Sequence, residues 1–272
     1  MTCLRTALSK VIFPTYYKNF HCIAGLCRHT CCRDWEIDID KASLKRFDKF
    51  PDIFSKIRDG SYILEPDGRC PFLMDDGLCY QIKTYGEDFI CDICREHPRF
   101  YFERDGKLYG GIGLACEEAA RVVLTGTEPF MLEDNEPIPC DIRSFVDETG
   151  SVSDKIDRLA PVLTSSYMRS KIFSSMEYLE EEWIASLNRI SDIRPTREDE
   201  NAILEDNNDF FERFIIYMLY RYGPLKRLAV ESALLVADLI IAGNDPLEAA
   251  RMFSSEIEYS DINIEEAKST FL

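Results

Sequence analysis

Eleven cysteines are the residues in this chain best suited to do chemistry, and all of them lie at or before Cys140. Nine of the eleven fall within one stretch of 95 residues. Their spacing is Cys22-x4-Cys27-x3-Cys31-Cys32, then Cys70-x8-Cys79, then Cys91-x2-Cys94, then Cys116. Zinc and the irons of iron–sulfur clusters are satisfied by four thiolates, which closely spaced and loop-borne cysteines can supply together. The pattern therefore predicts a cysteine-bound metal centre.

The spacing alone leaves the identity of the metal open. Simple zinc sites tend to use paired Cys-x-x-Cys motifs, and Cys91 and Cys94 form the only such pair in the sequence. The irregular spacing of the other cysteines favours an iron–sulfur cluster, with zinc as the alternative. Cys3 and Cys140 lie apart from the rest and are expected to be ordinary buried thiols. The chain's three histidines adjoin cysteines and are further ligand candidates: His21, His29 and His97.

Short elements must position these cysteines. Alternating apolar and polar residues predict a strand at Trp35–Asp40, and Asp40 is also expected to cap a helix that is broken at Pro51. A helix at Leu78–Tyr85 is expected to end at Gly86. Further predicted elements are a hairpin of Arg99–Glu103 with Lys107–Tyr109, and a helix from Cys116 to Leu124.

The second half of the chain has a helical pattern at nearly every point. A proline-containing stretch, Glu128–Ile142, precedes it and is expected to be a loop or linker. The acidic runs Glu180–Glu182 and Glu198–Glu200 are expected to be solvated helix faces or caps. The predicted helices are Asp154–Lys171, Ser174–Ile190, Asn207–Tyr222, Leu225–Ala242, one that opens at Asp245-Pro246, and Ile262–Phe271.

These elements predict a mostly helical α+β fold, in which a cysteine-rich, metal-clasped N-terminal module precedes an all-α region. The expected domains are a metal-binding or iron–sulfur module at residues 1–126 and a helical domain at residues 153–272. Residues 127–152 are expected to form a proline-containing linker between them.

Charge follows the same division. The chain carries a formal −17, but residues 1–120 hold 17 basic and 19 acidic side chains, whereas residues 121–272 hold 15 and 30. An acidic surface disfavours nonspecific binding to nucleic acid or to an anionic membrane and suits basic partners. No apolar stretch is long enough to span a bilayer, and the N-terminus lacks the apolar segment of a secretory signal, so a cytoplasmic protein is expected.

Four blocks of the cysteine-rich region resemble a known family. Tyr16–Asp40 contains the first four of the nine clustered cysteines, and the blocks Cys70–Cys79, Tyr85–Arg99 and Cys116–Leu124 follow in order. Together they resemble the flagellin lysine-N-methylases, and a shorter core of the pattern is shared with small proteins described as zinc- or iron-chelating. The similarity covers residues 16–125 and, more loosely, Asp245–Asn263.

This resemblance implies an enzyme that transfers a methyl group from S-adenosylmethionine to lysine side chains of flagellin, with a cysteine-bound metal centre, expected to be iron–sulfur. Cys91 falls where the family commonly has another small residue, and the chain is shorter than typical members. The cysteines that match the family's positions are Cys22, Cys27, Cys31, Cys32, Cys70, Cys79, Cys94 and Cys116.

The sequence assigns neither a catalytic base nor an S-adenosylmethionine loop. Tyr109–Gly113 follows a predicted strand and precedes a helix, but no strand–helix alternation surrounds it, so a hairpin exit is the favoured interpretation. The alternative function is therefore a non-enzymatic zinc- or iron–sulfur-binding protein, structural or redox-active, with a helical region that binds a partner.

Overall fold

The computed structural model describes residues 10–272, so Cys3 lies outside the described residues. The fold is mostly helical with two small two-stranded sheets, which confirms the predicted mostly helical α+β class. The strands are β1 (Ile57–Arg58), β2 (Ser61–Tyr62), β3 (Arg99–Arg104) and β4 (Lys107–Ile112). The helices are α1 (Lys41–Phe47), α2 (Pro51–Phe54), α3 (Tyr80–Tyr85), α4 (Asp92–Glu96), α5 (Glu117–Leu124), α6 (Cys140–Asp147), α7 (Val152–Leu159), α8 (Ser166–Ser174), α9 (Glu181–Ile193), α10 (Arg197–Asp206), α11 (Asn208–Tyr222), α12 (Lys226–Ile241), α13 (Pro246–Phe253) and α14 (Asp261–Thr270).

The chain divides into two compact units. Unit 2 is the continuous segment 21–100, whereas the described part of unit 1 comprises residues 10–20 and 101–272. Residues 101–126, which the sequence assigned to the cysteine-rich module, thus cluster with the helices. The domain bounds at 126 and 152 remain predictions about which parts fold independently.

Unit 2 is built from short elements around one apolar core. Asp40 caps α1 as predicted, because its carboxylate accepts a hydrogen bond from the Ser43 backbone N–H at 2.9 Å. Pro51 is the first residue of α2, a position that tolerates its missing N–H. The core residues are Ile37, Ile39, Phe47, Ile53, Tyr62, Cys70, Phe72 and Cys91.

The strand predicted at Trp35–Asp40 is wrong as a regular element. Its backbone is hydrogen-bonded to the β2 hairpin at Ile37 and Ile39, but it forms only one isolated bridge, between Asp38 and Ser61. The segment does not form a regular strand because the neighbouring strands β1 and β2 have only two residues each. They are too short to pair with all six of its residues. The alternating pattern correctly placed Ile37 and Ile39 in the core.

Unit 1 has α12 at its centre, and the residues from Leu228 to Leu239 are all buried. A helix that is apolar on every side must be enclosed, and α12 packs against α10, α11 and α13. The predicted start of α13 is confirmed, because Asp245 caps it and Pro246 is its first residue. The helix predicted over Asp154–Lys171 is two helices, α7 and α8, separated by a segment that contains Pro161.

Arg169 connects three helices inside unit 1. Its Nε donates to Asp238 and its Nη1 to Glu231, both at 3.0 Å, and its Nη2 donates to Glu200. All four side chains are buried. Within Glu198–Glu200, which the sequence predicts to be a solvated face or a cap, Asp199 does cap α10. Glu200 is instead buried, because it pairs with Arg169, 31 residues earlier in the chain. Burial raises the pKa of Asp238 to about 8, although the charge of Arg169 opposes the rise.

No helix among residues 10–272 is long and apolar enough to cross a membrane.

Candidate metal centre in the cysteine-rich unit

Five cysteines meet in the core of unit 2. Cys70 and Cys91 are buried members of the core, and Cys32, Cys79 and Cys94 are partly buried and pack against it. Four of the five belong to the ligand set that the family resemblance implies. The fifth, Cys91, does not, yet it is fully buried. Its only sequence signal was the Cys-x-x-Cys spacing with Cys94.

Backbone hydrogen bonds bring the first of these cysteines together. The Cys70 N–H donates to the Cys32 carbonyl at 2.8 Å, so two residues that are 38 positions apart in sequence are adjacent. Cys79 forms an isolated bridge with Leu73 and is the residue that precedes α3. The segment from Cys70 to Cys79 therefore forms a tight loop whose two ends both carry a thiol.

Helix α4 and the residue before it supply the other two cysteines of the core, Cys94 and Cys91. Cys91 is its N-cap residue and Cys94 follows three positions later, a spacing that places both side chains on one face. Asp40 fixes this helix, because its second carboxylate oxygen accepts the Asp92 N–H at 3.0 Å. Arg46 adds a bond from Nη2 to the Ile90 carbonyl at 3.1 Å. Helix α1 thus positions the start of α4 through two side chains.

The thiols influence one another's ionisation. The hydrogen bond between the Cys91 and Cys94 thiols lowers the pKa of Cys91 to about 7 and, together with burial, raises that of Cys94 well above its usual range. A hydrogen bond from Cys31 lowers the pKa of Cys32 to about 7 against the effect of burial. Burial raises the pKa of Cys70 to about 12, and the neighbouring thiols add to the rise. Neighbouring thiolates repel one another. A bound metal cation would offset this repulsion and allow several of the thiols to be ionised together.

The spacing between sulfurs bears on the kind of metal. Among residues 10–272, no three of the cysteine sulfurs lie within 4.8 Å of one another. A closed tetrahedral zinc site, with Zn–S bonds of about 2.3 Å, requires sulfurs about 3.8 Å apart. In an iron–sulfur cluster the thiolates bind different irons and stand further apart. Five neighbouring thiols in one core supply the soft sulfur donors that zinc and iron–sulfur clusters both use.

The three remaining predicted ligands of unit 2 lie on the segment before this core. Cys22 and Cys31 are exposed and Cys27 is half-buried. The segment packs closely on the loop between Cys70 and Cys79, since a Cβ added at Gly25 would lie 2.6 Å from the Asp76 carbonyl oxygen. Only glycine allows this approach of two backbones.

Among residues 10–272, two cysteines belong to unit 1. Cys116, the eighth predicted ligand, is half-buried and is the N-cap residue of α5. Cys140 begins α6 and is exposed, so the expectation that it is a buried thiol is wrong. The structure therefore gathers four predicted ligands and Cys91 in the core of unit 2, leaves three more on the segment before that core, and places Cys116 in the other unit.

The histidines differ in their surroundings. His21 and His29 are exposed. His97 is half-buried just after α4, and burial, with a smaller contribution from the charge of Arg99, lowers its pKa to about 4. His97 is therefore a neutral imidazole at physiological pH.

Curated proteins similar to this chain were found in Salmonella. A lysine-N-methylase of Salmonella typhimurium (strain LT2) is 26% identical over 136 residues, which are 44% of this chain and 34% of that protein. The lysine-N-methylase of Salmonella choleraesuis gives the same values. The flagellar biosynthetic protein FliU of Salmonella muenchen is 25% identical over 138 residues, 45% of this chain and 82% of that protein.

The matched part of the chain spans about a third of the length of the two lysine-N-methylases. No protein-family model and no solved structure matches the chain. The flagellar relatives confirm, at low identity and over under half of the chain, the resemblance to the flagellin lysine-N-methylase family that the cysteine motifs predict.

Proposed function

We propose that this chain is a protein lysine N-methyltransferase that acts on flagellin, uses S-adenosylmethionine as methyl donor and carries an iron–sulfur cluster in unit 2. The observation that carries the proposal is the agreement between two independent findings. Its curated relatives are named lysine-N-methylases, and four of the eight cysteines that match the family motifs lie together in one core. The name FliU of a further relative supports a flagellar substrate.

The cluster would be held by thiolates from Cys32, Cys70, Cys79, Cys91 and Cys94. An iron–sulfur cluster supplies a redox-active centre and covalently joins the loops that bind it. The residues of this chain contribute the rest of the site: Asp40 and Arg46 fix the start of α4. The Tyr62 hydroxyl lies buried among the thiols and shares a hydrogen bond with Gln81 at 3.0 Å.

Methyl transfer itself needs alignment and a neutral amine. The lone pair of the lysine Nζ forms a bond to the methyl carbon while the bond from carbon to the sulfonium sulfur breaks, and its electron pair stays on sulfur to give a thioether. The amine must lose its proton to solvent or to a base for this to occur. The 30 acidic residues of positions 121–272 would attract a lysine-rich protein surface to the enzyme.

The test combines anaerobic purification with a transfer assay. We expect a brown protein with broad absorption in the visible range and iron and sulfide in near-equal amounts, and transfer of labelled methyl groups to flagellin. Cys70→Ser should remove most of the iron, whereas Cys140→Ser, an exposed cysteine of unit 1, should keep it. Absence of both cofactor binding and methyl transfer would overturn the enzyme proposal.

The second candidate is a non-enzymatic metal-binding protein. It is favoured by the position of Cys70 and Cys91 in the apolar core of unit 2. A segment of 80 residues buries little apolar surface, and a metal bound there would stabilise the fold in place of further hydrophobic packing. Colourless protein with stoichiometric zinc and no methyl transfer would support this alternative.

A further inference from the structure

A cavity of about 280 Å³ lies within unit 1. It is bounded by the 3₁₀ helix Thr15–Asn19, by the segment after α5 and by helix α11. Its volume is near the lower limit of about 300 Å³ for small-molecule pockets, so it suits one small chemical group rather than a nucleoside. Its apolar lining consists of Val123, Pro129, Phe130, Val146 and Ile216.

A buried phenol faces this cavity. The hydroxyl of Tyr16 is buried and has no hydrogen-bond partner among residues 10–272. Burial raises the pKa of Tyr16, so the group stays protonated and can donate. The Tyr16 ring lies 6.4 Å from that of Phe130, which fixes its orientation. An unpartnered buried hydroxyl costs folding free energy unless a ligand or water satisfies it.

A half-buried guanidinium faces it as well. Within residues 10–272, Arg213 donates one hydrogen bond, from Nη2 to the Glu128 backbone carbonyl at 2.8 Å, and pairs with no carboxylate. The planar fork of an arginine matches a carboxylate through two parallel bonds. Arg213 and the Tyr16 hydroxyl together form an incomplete receptor for a carboxylate.

Carboxylates complete the polar lining. Glu212 is already paired, because it accepts a hydrogen bond from Lys155 Nζ at 2.7 Å. Asp209 accepts only a long bond of 3.4 Å from its neighbour Asn208 and forms no ion pair. Glu128 is exposed at the rim. Two carboxylates therefore remain to receive an ammonium group.

We propose that this cavity binds the zwitterionic end of an α-amino acid. Its carboxylate lies on Arg213 and Tyr16, its ammonium group on the side of Asp209 and Glu128, and an unbranched side chain lies along the apolar wall. A simple cation would leave Arg213 and Tyr16 without an acceptor, and a simple anion would face the carboxylates. A ligand with both charges would pair with Arg213 and Tyr16 through its carboxylate and with the exposed Asp209 and Glu128 through its ammonium group.

Two ligands have this chemistry. One is the methionyl end of S-adenosylmethionine, whose adenosyl part would extend beyond the cavity, and this assignment rests on the proposed function. The other is a free amino acid with an unbranched apolar side chain. The binding site itself stands on the geometry of unit 1 alone.

The test measures binding by calorimetry to the full chain. The probes are S-adenosylhomocysteine, L-methionine and 5′-methylthioadenosine, which lacks the amino-acid end. We expect Arg213→Gln and Tyr16→Phe to weaken the first two at least tenfold and to leave 5′-methylthioadenosine unaffected. Arg143→Gln is the matched control, because Arg143 also donates only to a backbone carbonyl but lies outside the cavity. Melting temperatures of all variants verify folding.

The outcomes separate the two proposals. Wild-type protein that binds neither S-adenosylhomocysteine nor methionine overturns the site, as does binding that Arg213→Gln leaves unchanged. Methionine binding that Arg213→Gln abolishes, without any methyl transfer to flagellin, supports the site and refutes the enzyme proposal. Methionine binding without S-adenosylhomocysteine binding identifies the free amino acid as the ligand.

Discussion

At the scale of single residues, the thiols of unit 2 behave as pairs. Cys91 is an acidic thiol because Cys94 donates to it, and Cys32 is one because Cys31 does. In the Cys91–Cys94 pair, the pKa of Cys91 is lowered to about 7 and that of Cys94 is raised well above its usual range, so one sulfur ionises near neutral pH and its neighbour keeps its proton. Since metals bind thiolates, Cys32 and Cys91 are the sulfurs best prepared to bind first.

His97 gives unit 2 a defined response to acid. Its pKa is about 4 in the folded protein against 6.5 for an unperturbed histidine, so between these values the unfolded chain binds a proton that the folded chain does not. The contribution of neutral His97 to the free energy of unfolding is therefore fully present above pH 6.5 and is lost as the pH falls towards 4. For this half-buried group the loss is about 2 kcal/mol. Denaturant titrations at pH 7 and pH 4.5 should show the loss in wild type and its near absence in His97→Gln.

The exposed His21 provides the control. His21→Gln should retain the acid-dependent loss of stability. An identical pH dependence in wild type and His97→Gln would contradict the assignment.

At the scale of elements, Asp40 joins two helices. One carboxylate oxygen caps α1 and the other accepts the first N–H of α4. Although burial acts in the opposite direction, these hydrogen bonds lower the pKa of Asp40, so it is ionised at neutral pH. The start of α4, and with it Cys91, depends on a residue more than 50 positions earlier.

Asp40→Ala should therefore have two effects. Loss of the cap should reduce the free energy of unfolding by about 1–2 kcal/mol, and release of α4 should lower the metal content. Asp48→Ala is the matched control, since Asp48 is an exposed residue at the other end of α1. Equal midpoints of denaturation and equal metal contents for the two variants would refute the role of Asp40.

The Arg169 network makes a further prediction for the elements of unit 1. Arg169→Met leaves three buried carboxylates without their shared cation and should cost about 3–5 kcal/mol. Asp238 keeps its proton to about pH 8 in the folded protein, whereas an unfolded aspartate releases it near pH 3.8, so stability declines as the pH rises through this window.

Asp238→Asn should cost less than about 1 kcal/mol at pH 8 and should remove that decline. Arg158→Met, which breaks an exposed pair with Glu148, serves as the control and should cost less than about 1 kcal/mol. Thermal melts at pH 5 and pH 8 distinguish the variants. A larger loss for Asp238→Asn than for Arg169→Met would contradict the network.

Local chemistry explains which elements the sequence predicts. Asp40 and Asp245 predict the starts of their helices because an N-cap side chain bonds to backbone N–H groups within three residues of it. The hairpin turn at Asp105-Gly106 is equally local, since both residues have positive φ, 51° and 73°. The surroundings of Glu200 and Cys91 are not predicted from the sequence because residues far away along the chain create them, and a local pattern does not contain those residues.

At the scale of the whole molecule, the clustered thiols and most of the helix content belong to different units. Anaerobic chelation should unfold unit 2, where the thiols contribute to the core, and leave the helices of unit 1 intact. Far-ultraviolet circular dichroism should then lose only a minor part of its helical signal, while protection of residues 21–100 from hydrogen exchange disappears. Simultaneous loss of both would show that unit 1 depends on the metal.

The discontinuity of unit 1 also orders events on the ribosome. All of unit 2 has been synthesised by residue 100, whereas unit 1 needs partners from residues 10–20 and from the last helices. Because domains fold as they emerge, the cysteine core can assemble while the helical unit is still being translated. For the iron–sulfur protein proposed above, iron supply during translation, rather than after release, would then determine how much of the protein matures.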